Sequence, residues 1–373
     1  MISSSIGELS LYGFSDRIAE LYRDYPGLEA ARVVRADRSH FQVMTRAGAM
    51  FVPRALITPE GAQCATGDWL GLDFEGSLEG AFGANPGLLQ ARVLPRFSQL
   101  IRKVAFANSS ESQLLAANID LIAVVVPLDR TLSPGRIERM LVAAWDSGAT
   151  PLLILTKADL ADGINGNHDV VSQVMEYAAG VRVITTSAEA GDGIEEVRQQ
   201  VQDYPGGGAT LTFLGPSGAG KSTLINALIG AKVQDTGEVR EGDFKGKHTT
   251  TARELVPLPG GGVLMDTPGV RGFEVVDAAE GVAKVFGDIE ELFGLCRFAD
   301  CQHLREPGCA VQEALENGLL ESRRWQSYQK MQREMARLAQ RKDIAQSRSE
   351  SRSAGRAYRS YKKIRGRVEE GKF

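Results

Sequence analysis

The sequence predicts a multidomain chain: a small all-β unit, a doubly wound α/β domain and a helical C-terminal domain built round a metal. Three observations carry this. Short β-prone runs broken by turn residues fill the stretch from Ala30 to Phe97. Long apolar runs then alternate with amphipathic ones as far as about residue 275. Three of only four cysteines crowd with a histidine between Cys296 and Cys309. A chain of 373 residues has room for two or three domains at roughly 150 residues each.

Each element follows from its local pattern. In the N-terminal extension, 1–28, DRIAELYRDY reads as a short helix closed by Pro26 and Gly27. In 29–97 the runs ARVVRAD, FQVMTR, AMFVPRAL, DWLGLDF and ARVLPRF give the five strands of an OB-type β-barrel. The polar, Ser-rich span 98–118 reads as a linker. In 119–276, IDLIAVVVP, PLLILTK, VRVITTSA and ATLTFLG are continuously apolar, as strands buried on both faces of a parallel sheet must be. The helical segments PGRIERMLVAAW, HDVVSQVMEYAA, IEEVRQQVQ and KSTLINALIG alternate with them, and the strands ELVPL and GVLMD complete the domain. In 277–340, DAAEGVAKVFGDIEELFGL leads as helix into the Cys/His cluster. Trp325, Tyr328, Met331, Met335 and Leu338 then mark one face of a further helix. The Ser- and Arg-rich tail, 341–373, is expected to be disordered or conditionally helical.

Composition excludes several classes. No run approaches the roughly 20 apolar residues that cross a bilayer, and the first residues lack a basic start followed by a long apolar run, so a cytoplasmic protein is expected. Few, clustered cysteines suit a metal site in a reducing compartment better than a disulfide framework. The net charge of −4 hides an asymmetry: residues 322–367 hold 15 Lys and Arg against 3 Asp and Glu, which leaves about −16 on the rest. An acidic body carries a basic tail.

The chemistry lies in four motifs. Gly215, Pro216, Ser217, Gly218, Ala219, Gly220, Lys221 and Ser222 follow the strand LTFL and open a helix that continues with Thr223. This is a phosphate loop: backbone amides wrap the phosphates, Lys221 reaches the β and γ oxygens, and Ser222 ligates Mg²⁺. Thr156, Lys157, Ala158 and Asp159 end the strand LLIL. The Asp159 carboxylate accepts from the N1–H and 2-amino groups of guanine, donors that adenine lacks. The Lys157 methylenes would pack on the base, and an amide of Thr186, Ser187 or Ala188, at the next strand end, would meet the guanine carbonyl. In DTPG, Asp266 would hold Mg²⁺ through water and the Gly269 amide would meet the γ-phosphate. The base-reading motifs precede the phosphate loop, so the topology is that of a circularly permuted P-loop GTPase.

Many small GTPases follow that glycine with a water-orienting glutamine, whereas Val270 stands here. Attention turns to GKHTTT, where Thr250, with Thr249 and Thr251 as alternatives, would complete the Mg²⁺ shell. His248 could orient or deprotonate water; as a solvent-facing loop residue it would do neither. Cys296, Cys301, His303 and Cys309 form a Cys₃His set of the kind that holds structural Zn²⁺. Cys64, His40 and His168 read as ordinary structural residues.

Together these motifs resemble the ribosome-small-subunit-dependent GTPase A family over nearly the whole chain. The resemblance implies an OB-fold, GTP hydrolysis to GDP stimulated by the 30S ribosomal subunit late in its assembly, contact with 16S rRNA, a C-terminal zinc domain, and His248 as the catalytic group. Gly218 stands where potassium-activated GTPases commonly carry Asn, so no potassium dependence is expected. In the barrel, Arg32, Arg35, Arg38, Arg46 and Arg54 are candidate RNA contacts beside the basic tail. The competing functional class is a GTP-gated RNA-binding scaffold with negligible hydrolysis. An ATP-using kinase is disfavoured by TKAD. A monomer is expected.

Overall fold

In the computed structural model, which describes residues 7–59, 63–75, 87–103, 112–163, 170–178, 180–230, 253–266, 279–304, 306–337 and 339–340, a short helix α1 (Asp16–Arg23) precedes six strands. These are β1 (Glu29–Ala36), β2 (His40–Thr45), β3 (Gly48–Pro53), β4 (Ile57–Thr58), β5 (Trp69–Phe74) and β6 (Leu88–Val93). β1 pairs antiparallel with β2 and β5, β2 with β3, and β5 with β6, while β4 runs parallel to β6. Alternate residues, among them Val33, Phe41, Val43, Val52, Leu70 and Leu72, point inward to one apolar core. The run AMFVPRAL gives β3 and then a 3-10 turn, Arg54–Leu56, because β3 ends at Pro53, which has no N–H to extend a ladder, and β4 begins just beyond the run.

The span 98–118 departs from the expected linker. β7 (Gln99–Lys103) and β8 (Ser112–Ala117) pair as an antiparallel ribbon. Leu100, Leu115, Ala116 and Ala117 are buried. An average over the polar stretch conceals these few anchoring residues.

The apolar runs that follow build the central sheet. Its elements are β9 (Leu121–Pro127), α2 (Pro134–Asp146), β10 (Thr150–Thr156), α3 (Val170–Tyr177), β11 (Arg182–Thr185), α4 (Ile194–Gln202), β12 (Thr210–Leu214), α5 (Lys221–Ile229), β13 (Glu254–Pro257) and β14 (Val263–Asp266). The order is β11-β10-β9-β12-β14-β13, parallel throughout except for β13. Continuity of the apolar pattern has a direct cause. Val124, Val126, Leu153 and Leu155 face a core shared with α2 and α3, whereas Ala123, Val125, Leu152 and Ile154 face a second core shared with α4 and α5. Neither face of these strands meets water.

Two joints tie the modules together. β13 pairs with β1 at Glu254 and Arg35, so the sheet runs on into the all-β unit and an edge that would otherwise stand open is closed. Beside that seam Arg32 is 1% exposed. Its guanidinium donates to the carbonyl of Tyr12, to the Asn118 carbonyl at 3.1 Å and to Thr210 Oγ1 at 2.8 Å, and it lies over the Trp69 ring. Burial pushes its pKa down to about 10. Arg32 is therefore a structural strut and cannot be one of the RNA contacts that composition proposed.

At the other end, α6 (Ala279–Val285), α7 (Gly287–Phe293) and α8 (Ala310–Glu316) are followed by α9 over 322–337. A side chain at Gly281 would lie 2.3 Å from the Val142 carbonyl oxygen, so α6 sits directly on α2. Trp325, Tyr328 and Met331 of α9 are buried in the same core, as their spacing predicts. The fully buried Glu138 of α2 accepts from Arg323 and Arg324, and Arg324 also binds Asp288. Among the described residues no helix is long and apolar enough to cross a membrane.

Truncating Arg32 to alanine leaves two carbonyls and a threonine hydroxyl buried without their donor. The variant should lose about 3 kcal/mol, read as a lower urea midpoint for tryptophan fluorescence. A wild-type midpoint would contradict the strut.

Candidate guanine-nucleotide site and cysteine–histidine cluster

Parallel strands release their following loops at one edge, which is where open α/β sheets bind ligands. At that edge Thr156, the last residue of β10, donates from Oγ1 to the Ala219 carbonyl at 2.7 Å. This single bond joins TKAD to the phosphate loop. The loop after β11 arrives at the same place, because the Ala158 amide donates to the Thr186 carbonyl at 3.1 Å and Ser187 Oγ donates to Asp159 Oδ1 at 2.6 Å. Asp159 remains exposed, Ala188 is half-buried, and Lys157 adopts the left-handed conformation, φ 61°, that a sharp turn after the strand requires.

The phosphate loop is shaped by its glycines. A side chain at Gly215 would stand 2.7 Å from the Val125 carbonyl oxygen, and Gly218 and Gly220 hold φ of 73° and 85°. Gly220 caps α5, so the amides that open its first turn, from Lys221 to Thr223, point out of the helix end and suit an anion. Pro216, Ser217 and Gly218 line the open side, and Ala219 is buried beneath them. Lys221 Nζ donates to the Gly215 and Pro216 carbonyls at 2.8 and 2.7 Å. Asp266 ends β14 one residue past Met265, which pairs with Thr212 of β12. It therefore sits at the strand end next to the loop. His248, Thr249, Thr250, Thr251, Gly269 and Val270 lie outside the described residues.

Far along the chain, Cys296, Cys301, His303 and Cys309 bring their ligating atoms within 4.8 Å of one another. His303 Nδ1 lies 3.5 Å from Cys296 Sγ and 3.6 Å from Cys309 Sγ. Tetrahedral zinc, with bonds of about 2.3 Å to sulfur and about 2.0 Å to nitrogen, calls for an S···N separation of about 3.5 Å. The donor set and its spacing fit that ion. Burial holds the His303 pKa low and so favours the neutral imidazole. At Cys296 burial opposes ionisation, but hydrogen bonds from the Ala310 amide, the Cys301 thiol and the Val311 amide lower its pKa overall. Cys309 caps α8, His303 stacks on Phe293, and the Gln312 amide donates to the His303 carbonyl at 2.7 Å.

Comparison with known proteins decides the family. A family model described as RsgA GTPase matches residues 93–276. Over 353 residues the chain is 43% identical to the small ribosomal subunit biogenesis GTPase RsgA of Streptomyces coelicolor, covering 94% of this chain and 92% of that protein. The chain belongs to the RsgA GTPase family. RsgA 2 of Vibrio parahaemolyticus is 38% identical over 338 residues, 90% of this chain and 87% of that one. A crystal structure of YjeQ from Thermotoga maritima aligns with a TM-score of 0.56 at 24% identity, over 83% of this chain and 98% of that chain. YloQ, described as a circularly permuted GTPase, aligns with a TM-score of 0.58 at 22% identity, over 84% and 96%. The fold is thus the permuted one that the motif order implies. A second model, ABC transporter, matches residues 206–359, a span that takes in the phosphate loop.

The structure adds two residues at this edge of the RsgA-type sheet that motif reading misses. Asp129 and Arg130 follow β9; Asp129 Oδ2 lies 2.5 Å from Lys157 Nζ, and Arg130 Nη2 donates to the Gly218 carbonyl at 3.4 Å. The signal was in the topology. β9 lies between β10 and β12, so the loop leaving it must run between the base-reading loop and the phosphate loop.

Asp159→Asn reverses half of the base recognition, since its amide opposes the 2-amino group of guanine but can donate to the 2-oxo group of xanthine. GTP affinity should fall at least ~100-fold and xanthosine triphosphate affinity should rise. Equal weakening for both nucleotides, measured by titration, would remove Asp159 from base reading.

Proposed function

We propose that this chain is a GTP hydrolase of small-subunit biogenesis that binds the 30S ribosomal subunit and its 16S rRNA late in assembly and turns over GTP to GDP when the subunit stimulates it. The reading follows the names of its relatives. The observation that carries it is the pair of contacts, Thr156 to Ala219 and Ser187 to Asp159, that bring the base-reading and phosphate loops to one strand edge.

In this reading Asp159 and the loop Thr186–Ala188 read guanine, Lys157 covers its plane, and the amides from Gly215 to Thr223 with Lys221 hold the phosphates. Ser222, Thr250 and Asp266 hold Mg²⁺, an ion that neutralises phosphate charge when bound. Gly269 senses the γ-phosphate. His248 takes the place of the absent glutamine as the group that orients water. Residues 29–97 act as an OB-type barrel and 119–276 as the GTPase domain. Arg35, Arg38, Arg46 and Arg54, with the tail 341–373, offer charge to RNA phosphates, and binding weakens steeply with salt. The protein works as a monomer in the cytoplasm.

Residues 277–340 form a zinc domain whose ligands are Cys296, Cys301, His303 and Cys309. Metal analysis should find one zinc per chain. Cys301→Ser should lose the metal and expose 296–309 to protease, while GTP affinity stays within about 3-fold of wild type. A metal-free wild type that resists protease in this segment would overturn the zinc reading.

For catalysis, single-turnover hydrolysis with saturating 30S subunits should fall at least ~100-fold in His248→Ala with nucleotide affinity retained. A wild-type rate in the variant would dismiss His248. No hydrolysis by the wild type, with or without subunits, would favour the GTP-gated scaffold.

A further inference from the structure

The acidic–basic pair that follows β9 has no role in the motif set, yet it lies between the two halves of the nucleotide site. Asp129 is the hub. Its Oδ2 holds Lys157 Nζ at 2.5 Å, and its Oδ1 holds Arg130 Nε at 2.7 Å. Arg130 in turn reaches the Gly218 carbonyl of the phosphate loop at 3.4 Å, on the flank where a side chain at Gly218 would come within 3.7 Å of it. The Asp129 side chain is only 18% exposed, against 50% for Arg130 and 30% for Lys157. The hub is sheltered and its two cations are more exposed than it is.

We propose that Asp129 is a positioning residue for the guanine nucleotide, fixing Lys157 as the shelf for the base and, through Arg130, tying that shelf to the phosphate loop. The proposal rests on the GTPase reading above and names the residue that sets how long the nucleotide stays bound. The reasoning is geometric. A lysine stem left to itself samples many rotamers, and ordering it on ligand binding costs free energy. A carboxylate that already holds its ammonium removes that cost in advance. Phosphate-loop amides face the ligand, so the Gly218 carbonyl faces away from it. Arg130 therefore braces the loop from behind. Hydrogen bonds from Arg130 and Lys157 hold the Asp129 pKa down at about 2, so the hub stays ionised across the range in which the enzyme works.

The site predicts an effect on residence time and none on chemistry. Stopped-flow dissociation of fluorescent GDP and GTP should speed up about 10-fold or more in Asp129→Asn, equally for both nucleotides. Lys157→Met should match it. The double variant should be no faster than either single one, because both remove the same shelf. In Asp129→Asn, single-turnover hydrolysis with enzyme in saturating excess over GTP should stay within about 2-fold of wild type. Circular dichroism and the thermal midpoint report whether Asp129→Asn is folded, and Asp129→Glu, which keeps the charge, should recover most of the slow dissociation.

Three results would overturn the proposal while leaving the GTPase reading intact: wild-type dissociation in folded Asp129→Asn, multiplication of the two single effects in the double variant, or an unaltered affinity with lost hydrolysis. Failure of the wild type itself to bind GTP in the same assay would instead sink the GTPase reading.

Discussion

The hydrogen bond from Thr156 to Ala219 expresses the constraint on which the site depends: parallel strands must end together. β10 and β12 are encoded some sixty residues apart and are not neighbours in the sheet, since β9 lies between them. Their ends nonetheless meet over the end of β9, where Gly215 allows the phosphate loop to pass close to the Val125 carbonyl. Permuting the order in which strands are synthesised leaves this convergence intact, because it depends on strand direction and sheet order and not on which strand comes first. Nucleotide recognition is thus a property of the sheet edge.

The same sheet also sets the positions of the flanking modules. On the N-terminal side, Asp120 just before β9 accepts from the Thr210 amide at 2.8 Å and from Arg17 of α1, while Arg32 bonds Thr210 and Asn118. On the C-terminal side, Glu138 of α2 is clamped by Arg323 and Arg324 of α9. Both joints are buried and charged, so each is costly to leave half made and tolerates few alternative geometries. Because α2 starts a few residues beyond Asp129, the nucleotide edge and the zinc-compatible helical domain are attached to opposite parts of one short stretch of chain.

Much of this was legible in the residues. The continuous apolar runs gave the buried strands because both faces are covered, and the helix face led by Trp325 and Tyr328 gave α9. TKAD, TSA and the phosphate loop were recognisable because their chemistry requires fixed residue types at strand ends. What escaped reading depended on contacts distant in sequence. The ribbon of β7 and β8 is pinned by a few buried residues inside a polar stretch. Arg32 looks like a surface arginine until Tyr12, Asn118 and Thr210 gather round it. Asp129 and Arg130 resemble a solvated loop pair, and only the place of β9 between β10 and β12 gives them a function.

The account stands on one nucleotide bridging two loops that the sequence separates. Diffraction from crystals grown with a non-hydrolysable GTP analogue and Mg²⁺ tests this most directly. The guanine N1 and 2-amino nitrogens should lie within about 3 Å of the Asp159 carboxylate, with the β-phosphate on the amides of 218–222. A phosphate tail on that loop with its base turned away from Asp159, or a nucleotide bound elsewhere, would contradict it.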